Sequence, residues 1–150
     1  MINSESFEDN NLFYTCSLIE YISRKTKNEV KDVINKLGID TIEKIYSLSD
    51  VYHVENIDKV SDEYIEKYQI KLGKYDKLEN VKYKIPSYFE IGRVYQKLII
   101  SINNDSTKYI NTLFNVLSSF LITEIDNYNS SLYYSNIEYL KECYKSNKIL

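Results

Sequence analysis

The segment SYFEIGRVYQKLIISI, from Ser87 to Ile102, indicates most directly which class of fold the chain adopts. Ser87 and Glu90 have the spacing of a capping box, in which a serine hydroxyl and a glutamate carboxylate bind the free amides at the start of a helix. Apolar side chains then recur at intervals of three and four residues, the period of one helix face. They are Ile91, Val94, Tyr95, Leu98 and Ile102. The segment therefore predicts an amphipathic helix.

Four helical patterns precede this segment, and the first begins at Asn11. Thr26 and Glu29 have the spacing of a second capping box, so another helix is expected behind them. That helix should end at Gly38, because glycine adopts the left-handed conformation at a helix C-terminus at little cost. Asp40 is expected to cap the third helix, and a short, acidic fourth helix follows.

Two further helical patterns follow the opening segment, after a predicted turn at residues 103–106. The first is the most apolar of the chain and is expected to form the central helix. Its stripe is Ile110, Leu113, Phe114, Leu117 and Leu121. The second runs from Tyr133 to Tyr144. Together the patterns predict an all-α protein, a bundle of six or seven helices.

The predicted organisation is a single domain, since 150 residues favour one domain. Residues 1–10 are expected to form a flexible tail, residues 11–68 the N-terminal helices and residues 87–150 the C-terminal helices. Residues 70–86 contain the only proline and one of three glycines, which predicts an irregular connection. The pattern leaves open whether this connection contains a hairpin, and whether the two halves share one core.

Composition points to a cytoplasmic protein. The net charge is −3, no apolar run approaches the roughly 20 residues that span a bilayer, and the N-terminus does not resemble a signal peptide. Cys16 and Cys143 lie inside apolar helical patterns, where free cysteine acts as a small hydrophobic residue. Abundant Ile, Lys, Asn and Tyr indicate an A/T-rich genome, which accounts for much of the excess of tyrosine.

Catalytic and metal-binding functions are not expected. His53, the only histidine, lies near several carboxylates, but no activated nucleophile, nucleophile elbow or glycine-rich phosphate loop accompanies it. The carboxylates lack the alternating aspartates and the turn glycine of a calcium loop. We therefore predict no enzyme activity, no metal and no cofactor.

Nucleic-acid binding is the less favoured alternative. Residues 27–50 have a helix, a glycine turn and a second helix, but that second helix carries one lysine against three acids. A duplex would repel it. Residues 71–84 interleave lysines with tyrosines, a composition that can stack on and pair with single strands. The absence of a global basic excess favours a solvated edge instead.

The N-terminal half resembles a family of small uncharacterised bacterial helical domains. The resemblance covers about residues 11–68 and rests on FYTCSLIEYISRKT, VINKLGI, IEKIYSLSDVYH and the acidic VSDEYIEKY. Members of that family are sometimes encoded beside small ADP-ribosyltransferase-like toxins. The resemblance implies an antitoxin or accessory role, exerted through the tyrosines and the histidine and through the acidic residues after them.

The sequence thus predicts a small cytoplasmic interaction module that binds a partner protein and catalyses nothing, and the resemblance implies an antitoxin-like or regulatory role for it. An acidic face suits a basic partner. A homo-oligomeric structural domain remains an alternative, and membrane association is not expected. The predicted partner-binding residues are Tyr46, Tyr52, His53, Asp58, Asp62, Glu63 and Glu66.

Overall fold

A computed structural model describes residues 6–103 and 109–150 of the chain. Throughout these residues the regular structure is helical, with no strand, so the all-α prediction is confirmed. A short 3-10 turn spans Leu132–Tyr134. The α-helices are α1 (Phe7–Thr26), α2 (Val30–Leu37), α3 (Ile39–Ser47), α4 (Ser49–Tyr52), α5 (Ile57–Lys67), α6 (Tyr88–Ile102), α7 (Tyr109–Leu117), α8 (Phe120–Ile125) and α9 (Ile137–Ser146).

Two of the seven predicted helices are each divided in two, which brings the number in the described ranges to nine. The third pattern breaks at Leu48, between α3 and α4. The most apolar pattern breaks between Leu117 and Phe120, where Ser119 takes an extended conformation and caps α8. Hydrophobic periodicity did not reveal either break, because the apolar stripe continues through both.

The predicted helix starts have mixed outcomes. The capping box at α6 is confirmed, with the Glu90 amide donating to Ser87 Oγ at 3.0 Å and the Ser87 amide to Glu90 Oε1 at 2.8 Å. The box at Thr26 and Glu29 is wrong. Thr26 is still part of α1, where its hydroxyl donates to the Ile22 carbonyl, and Glu29 forms no side-chain cap. Asp40 lies in the first turn of α3 and is not its cap.

Gly38 ends α2 and immediately begins α3. Its φ of +85° lies in the region that favours glycine, as the sequence predicted for a helix end at this position. Because one residue serves both helices, no loop separates α2 from α3.

The predicted tail over residues 1–10 is wrong from Phe7 onward. The first helix begins there, because Ser6 Oγ accepts a hydrogen bond from the Asp9 amide at 3.1 Å. Residues 1–5, like positions 104–106 of the predicted turn, lie outside the described ranges.

The two halves of the chain share one core. Helices α1 and α6 form the most extensive contact in the described structure, and both contribute fully buried residues to a single hydrophobic cluster. They approach closely at Gly92, where an added Cβ atom would lie 2.9 Å from the Ser17 Cα atom. The pattern expected to form the central helix over residues 110–121 forms α7, which packs against α2, α3 and α6, and the start of α8, which packs against α7 and α9.

The connection over residues 70–86 contains turns but no strand or hairpin. Its first part is bound to the end of α1 by backbone hydrogen bonds, from the Gly73 amide to the Thr26 carbonyl at 2.7 Å and from the Tyr75 amide to the Lys27 carbonyl at 2.9 Å. The prediction of an irregular connection is confirmed.

Both cysteines are buried and free. Cys16 and Cys143 have no exposed surface, as expected for small apolar residues. Burial raises the pKa of the Cys16 thiol. Neither position is accessible for redox or metal chemistry.

Candidate functional site

A groove lined by aromatic rings lies where the N-terminal ends of α1 and α6 meet α4 and the start of α5. It has a volume of about 630 Å³, within the range typical of ligand-binding pockets. We call it the aromatic groove. Its rings are those of Phe7, Phe13, Tyr14, Tyr88 and Phe89.

Several aromatic rings of the groove contact one another. The Tyr88 and Phe89 rings lie 4.3 Å apart between centroids, and Phe89 lies 6.0 Å from Phe13. Phe7 and Phe89 are 58% and 48% exposed, which is unusual for phenylalanine. The structure therefore presents a preformed apolar surface that no described part of the chain covers.

The opposite wall of the aromatic groove is polar and acidic. Asp50, His53 and Glu55 line it and are exposed. They come from α4 and the turn that follows it. This wall adds two carboxylates to a surface formed by the rings together with Asn10, Asn11, Ser49 and Ile57.

Tyr14 lines the groove and carries an unusual polar atom. Its hydroxyl is buried and has no hydrogen-bond partner among the described residues. Burial, and then the Glu55 carboxylate, raise the pKa of this hydroxyl, so it remains protonated. Buried polar atoms in native proteins usually have a partner, and this exception lies at the groove wall.

Of the predicted partner-binding residues, only His53 lines the groove. Tyr52 lies behind the wall, where its hydroxyl is 2.7 Å from that of Tyr64 and its ring packs edge-on against the Tyr64 ring. Tyr46 lines a separate hollow of about 400 Å³ with Tyr109. Burial and the nearby Glu8 raise the pKa of Tyr46 to about 12.

The predicted acidic residues lie on α5 and divide into two pairs. Asp58 and Asp62 both bind the Lys25 ammonium, at 2.7 and 2.5 Å. Hydrogen bonds from Lys25 and Tyr21 lower the pKa of Asp58. Glu63 and Glu66 are exposed on the same helix.

Tyr21 connects this acidic face to the aromatic groove. Its hydroxyl donates to Asp58 at 2.7 Å, while its ring packs edge-on against Tyr88, a groove residue, at 4.9 Å between centroids. The acidic face of α5 therefore borders the groove. The structure places the predicted acids beside the candidate site, not in it.

None of the aromatic residues of the groove was predicted from the sequence to bind a partner. Phe7 fell within the predicted tail, Phe13 was assigned to the core stripe, and Phe89 lay inside the capping box. One available signal was the adjacent pair Tyr88 and Phe89 in the first turn of a helix, outside its apolar stripe.

A second cluster of polar residues lies inside the protein, at the centre of the bundle. The Lys77 ammonium is 3.0 Å from Glu20 Oε1 and 3.0 Å from Asp126 Oδ2. The Tyr95 hydroxyl donates to Asp126 at 2.7 Å, and the Tyr128 hydroxyl to Glu20 at 3.0 Å. We call these five residues the buried charge cluster.

Arg24 closes this cluster toward the surface. Its Nε atom donates to Glu20 Oε2 at 2.7 Å, and its Nη2 atom reaches the Pro86 carbonyl at 2.8 Å. Glu20 therefore has a lowered pKa despite its burial, because Lys77 and Arg24 stabilise its charge. Burial, followed by the Glu20 charge, raises the pKa of Asp126 to about 6.

The buried charge cluster holds the irregular connection in place. Lys77 belongs to the connection, Glu20 to α1, and Asp126 follows α8. The polar groups satisfy one another and have almost no exposed surface, although Lys77, Asp126 and Tyr128 also line a hollow of about 330 Å³. Its role is to join three parts of the chain.

Metal binding finds no support in the structure at residues 6–103 and 109–150. No group of three or more His, Cys, Asp or Glu side chains in these ranges is arranged to hold an ion. In the same ranges, no helix has both the length and the apolar character needed to cross a membrane.

Comparison with protein-family models, with curated proteins and with solved structures gave no match. Evidence for a function therefore comes from the geometry of the aromatic groove and of the acidic face of α5.

Proposed function

We propose that this protein is a small interaction module that binds a partner protein through the aromatic groove. The observation that carries the proposal is a preformed apolar concavity with two phenylalanine rings left half exposed at its rim. Exposed apolar surface rimmed by polar groups is typical of binding sites for other proteins. We place this action in the cytoplasm, where thiols remain reduced.

The occupant that fits this groove is a partner segment with a basic side chain next to an apolar one. The rings offer contact area for the apolar side chain, and Asp50 and Glu55 offer charge to the basic one. Aromatic faces also attract cations. Within the protein itself, the Arg93 guanidinium lies 3.8 Å from the centroid of the Phe13 ring, an example of this contact at the edge of the groove.

The acidic face of α5 supports the same choice of partner. Asp62, Glu63 and Glu66 are exposed on this helix, whose first residue, Ile57, lines the groove. Charges at the rim of an interface mainly accelerate association and contribute less to the final affinity. A groove of this volume takes only a short segment of a partner, so the acidic face would supply the rest of the contact and the steering.

We extend the proposal to an antitoxin-like or regulatory role, in which the module acts by covering a site on its partner. The support is the position of the groove-lining residues in the sequence. Residues 11–68 carry the resemblance to domains that are sometimes encoded beside toxins, and the same residues supply most of the groove lining. Such a role requires occupancy and no catalysis.

The test begins with affinity capture of the tagged protein from its host at low salt, beside a Phe7→Ala/Phe89→Ala double variant. A captured protein is then purified, and its dissociation constant is measured by calorimetry against both forms. Loss of two rim anchors should weaken binding about tenfold or more, as expected of anchor residues. Raised salt should slow association.

A Leu72→Ala/Ile149→Ala variant is the matched control, because these residues are 72% and 43% exposed but do not line the groove. It should bind with unchanged affinity. Equal affinity of wild type and the groove variant would overturn the proposal, as would an eluate that contains only this chain. The latter result, with a concentration-dependent mass, would establish the homo-oligomeric alternative.

A further inference from the structure

A second aromatic surface lies near the C-terminal end of the connection. It adjoins the aromatic groove, because Tyr133 and Tyr134 line a hollow of about 390 Å³ together with Phe13 and Phe89. Tyr83, Tyr133 and Tyr134 line one hollow of about 440 Å³, together with Lys84. Tyr134 is 73% exposed and Tyr83 is 67% exposed. We call these three tyrosines the tyrosine platform.

The tyrosine platform is held in a fixed arrangement. The Tyr133 and Tyr134 rings are stacked, with centroids 4.3 Å apart. Tyr133 also packs edge-on against Tyr128, at 5.8 Å. Because the Tyr128 hydroxyl is bonded within the buried charge cluster, the platform is supported from the interior of the protein.

Asn129 brings the two chain segments of the platform together. Its Oδ1 atom accepts from the Lys82 amide at 2.8 Å, and its Nδ2 atom donates to the Asn80 carbonyl at 3.1 Å. Residues 82–84 therefore lie beside the 3-10 turn that carries Tyr133 and Tyr134. This proximity joins residues about 50 positions apart and is invisible to sequence periodicity.

The charge around the platform is positive on the side of the connection. Lys82 and Lys84 are both exposed there. On the opposite side, the Glu90 carboxylate is occupied by the capping box of α6, and its pKa is lowered first by the hydrogen bond from the Ser87 backbone. Lys77, also counted in the lysine-rich pattern, is buried and contributes nothing to this surface.

We propose that the tyrosine platform binds single-stranded nucleic acid. Exposed rings can stack on bases of any sequence, and neighbouring lysines can neutralise phosphates. The lysines favour a phosphate-bearing strand over an uncharged ligand such as a sugar. The groove and the platform hollow have no lining residue in common, although a hollow between them is lined by residues of both.

Residues 71–84 interleave lysines with tyrosines, and from the sequence alone a solvated edge was favoured over a nucleic-acid-binding site. The structure changes that balance, because it adds two stacked rings from residues 133–134 to Tyr83 and Lys84. A lysine-rich edge without a stacking partner holds phosphates only transiently, whereas a fixed stack provides a position for the base.

The test is fluorescence anisotropy with a labelled 12-nucleotide oligo-uridine and the full chain, at several salt concentrations. Removal of one stacking ring in Tyr134→Ala should weaken binding roughly 5- to 100-fold. Tyr134→Phe keeps the ring and should retain the wild-type affinity. Lys84→Ala should reduce the slope of log affinity against log salt by about 0.7.

Leu72→Ala and Lys44→Ala are controls for an exposed apolar side chain and an exposed lysine elsewhere, and both should bind as wild type. Thermal unfolding of each variant shows whether it remains folded. No saturable binding at low salt would overturn the proposal, as would a Tyr134→Ala variant that binds normally. Binding that requires Tyr134 but is independent of salt would also overturn it, because no phosphate would then be recognised.

Discussion

Lys77 and Glu20 form a buried ion pair across 57 positions of sequence, with the ammonium 3.0 Å from the carboxylate. Both side chains have at most 1% of their surface exposed. This contact attaches a segment without regular structure to the first helix of the bundle. It explains how the irregular connection keeps one conformation.

Replacing Lys77 by methionine should destabilise the protein strongly. Two buried carboxylates, Glu20 and Asp126, would lose their shared cation, and breaking a buried pair in this way typically costs about 3–5 kcal/mol. Urea unfolding at pH 7 measures the loss. Lys82→Met, an exposed change on the same connection, should cost less than about 0.5 kcal/mol. Similar values for the two variants would show that Lys77 is not essential to the cluster.

Asp126 should make the protein less stable as the pH rises from about 4 to about 6. Its pKa is raised from 3.8 to about 6, so in this range the folded state binds more protons than the unfolded state. The free energy of unfolding therefore falls with rising pH. Lys77 and Tyr95 face the same carboxylate, and both oppose the increase in pKa.

The measurement compares urea unfolding of wild type and Asp126→Asn between about pH 4 and pH 7. Wild type should lose on the order of 2 kcal/mol relative to the variant over this range. Glu20 has a lowered pKa, which makes stability fall at acidic pH and so opposes the trend from Asp126. Because both proteins contain Glu20, the difference between their free energies of unfolding largely removes this opposite trend. A difference that stays constant with pH would contradict the prediction.

Gly92→Ala should destabilise the protein, although alanine is the better helix former. The propensity gain is about 1 kcal/mol. The added methyl would meet Ser17 backbone atoms that cannot move aside, which costs about 1–3 kcal/mol by overpacking. The midpoint of thermal unfolding should fall, while Lys97→Ala, exposed on the same helix, should leave it nearly unchanged. A stabilised Gly92→Ala protein would show that α1 and α6 can separate without loss.

The helices were largely predictable because burial follows the apolar stripe. Ile91, Tyr95 and Leu98 were assigned to one face, and all are buried. The helix ends were less predictable, since serine and threonine fit the capping pattern whether or not they cap. Thr26 matched the pattern, yet its hydroxyl bonds within its own helix.

Neither the buried charge cluster nor the aromatic groove could be predicted from local sequence, because each joins residues that are far apart in the chain. Lys77 and Glu20 both occur in segments where a charged residue normally faces water. Only the packing of α1, α6 and α8 brings the residues of the buried charge cluster together. The aromatic groove has the same origin, since Phe7 and Phe89 approach only after α1 and α6 have packed.

The anchoring of the irregular connection over residues 70–86 determines where the backbone can be cut. Its first part is fixed through Lys77, whereas residues 82–85 are exposed. A break there would leave α1 and α6 on separate polypeptides, each with an uncovered apolar face. Neither fragment could complete a core alone, so the two should recover the fold only by associating. The protein is therefore suited to fragment complementation, with the opening placed between Lys82 and Ile85.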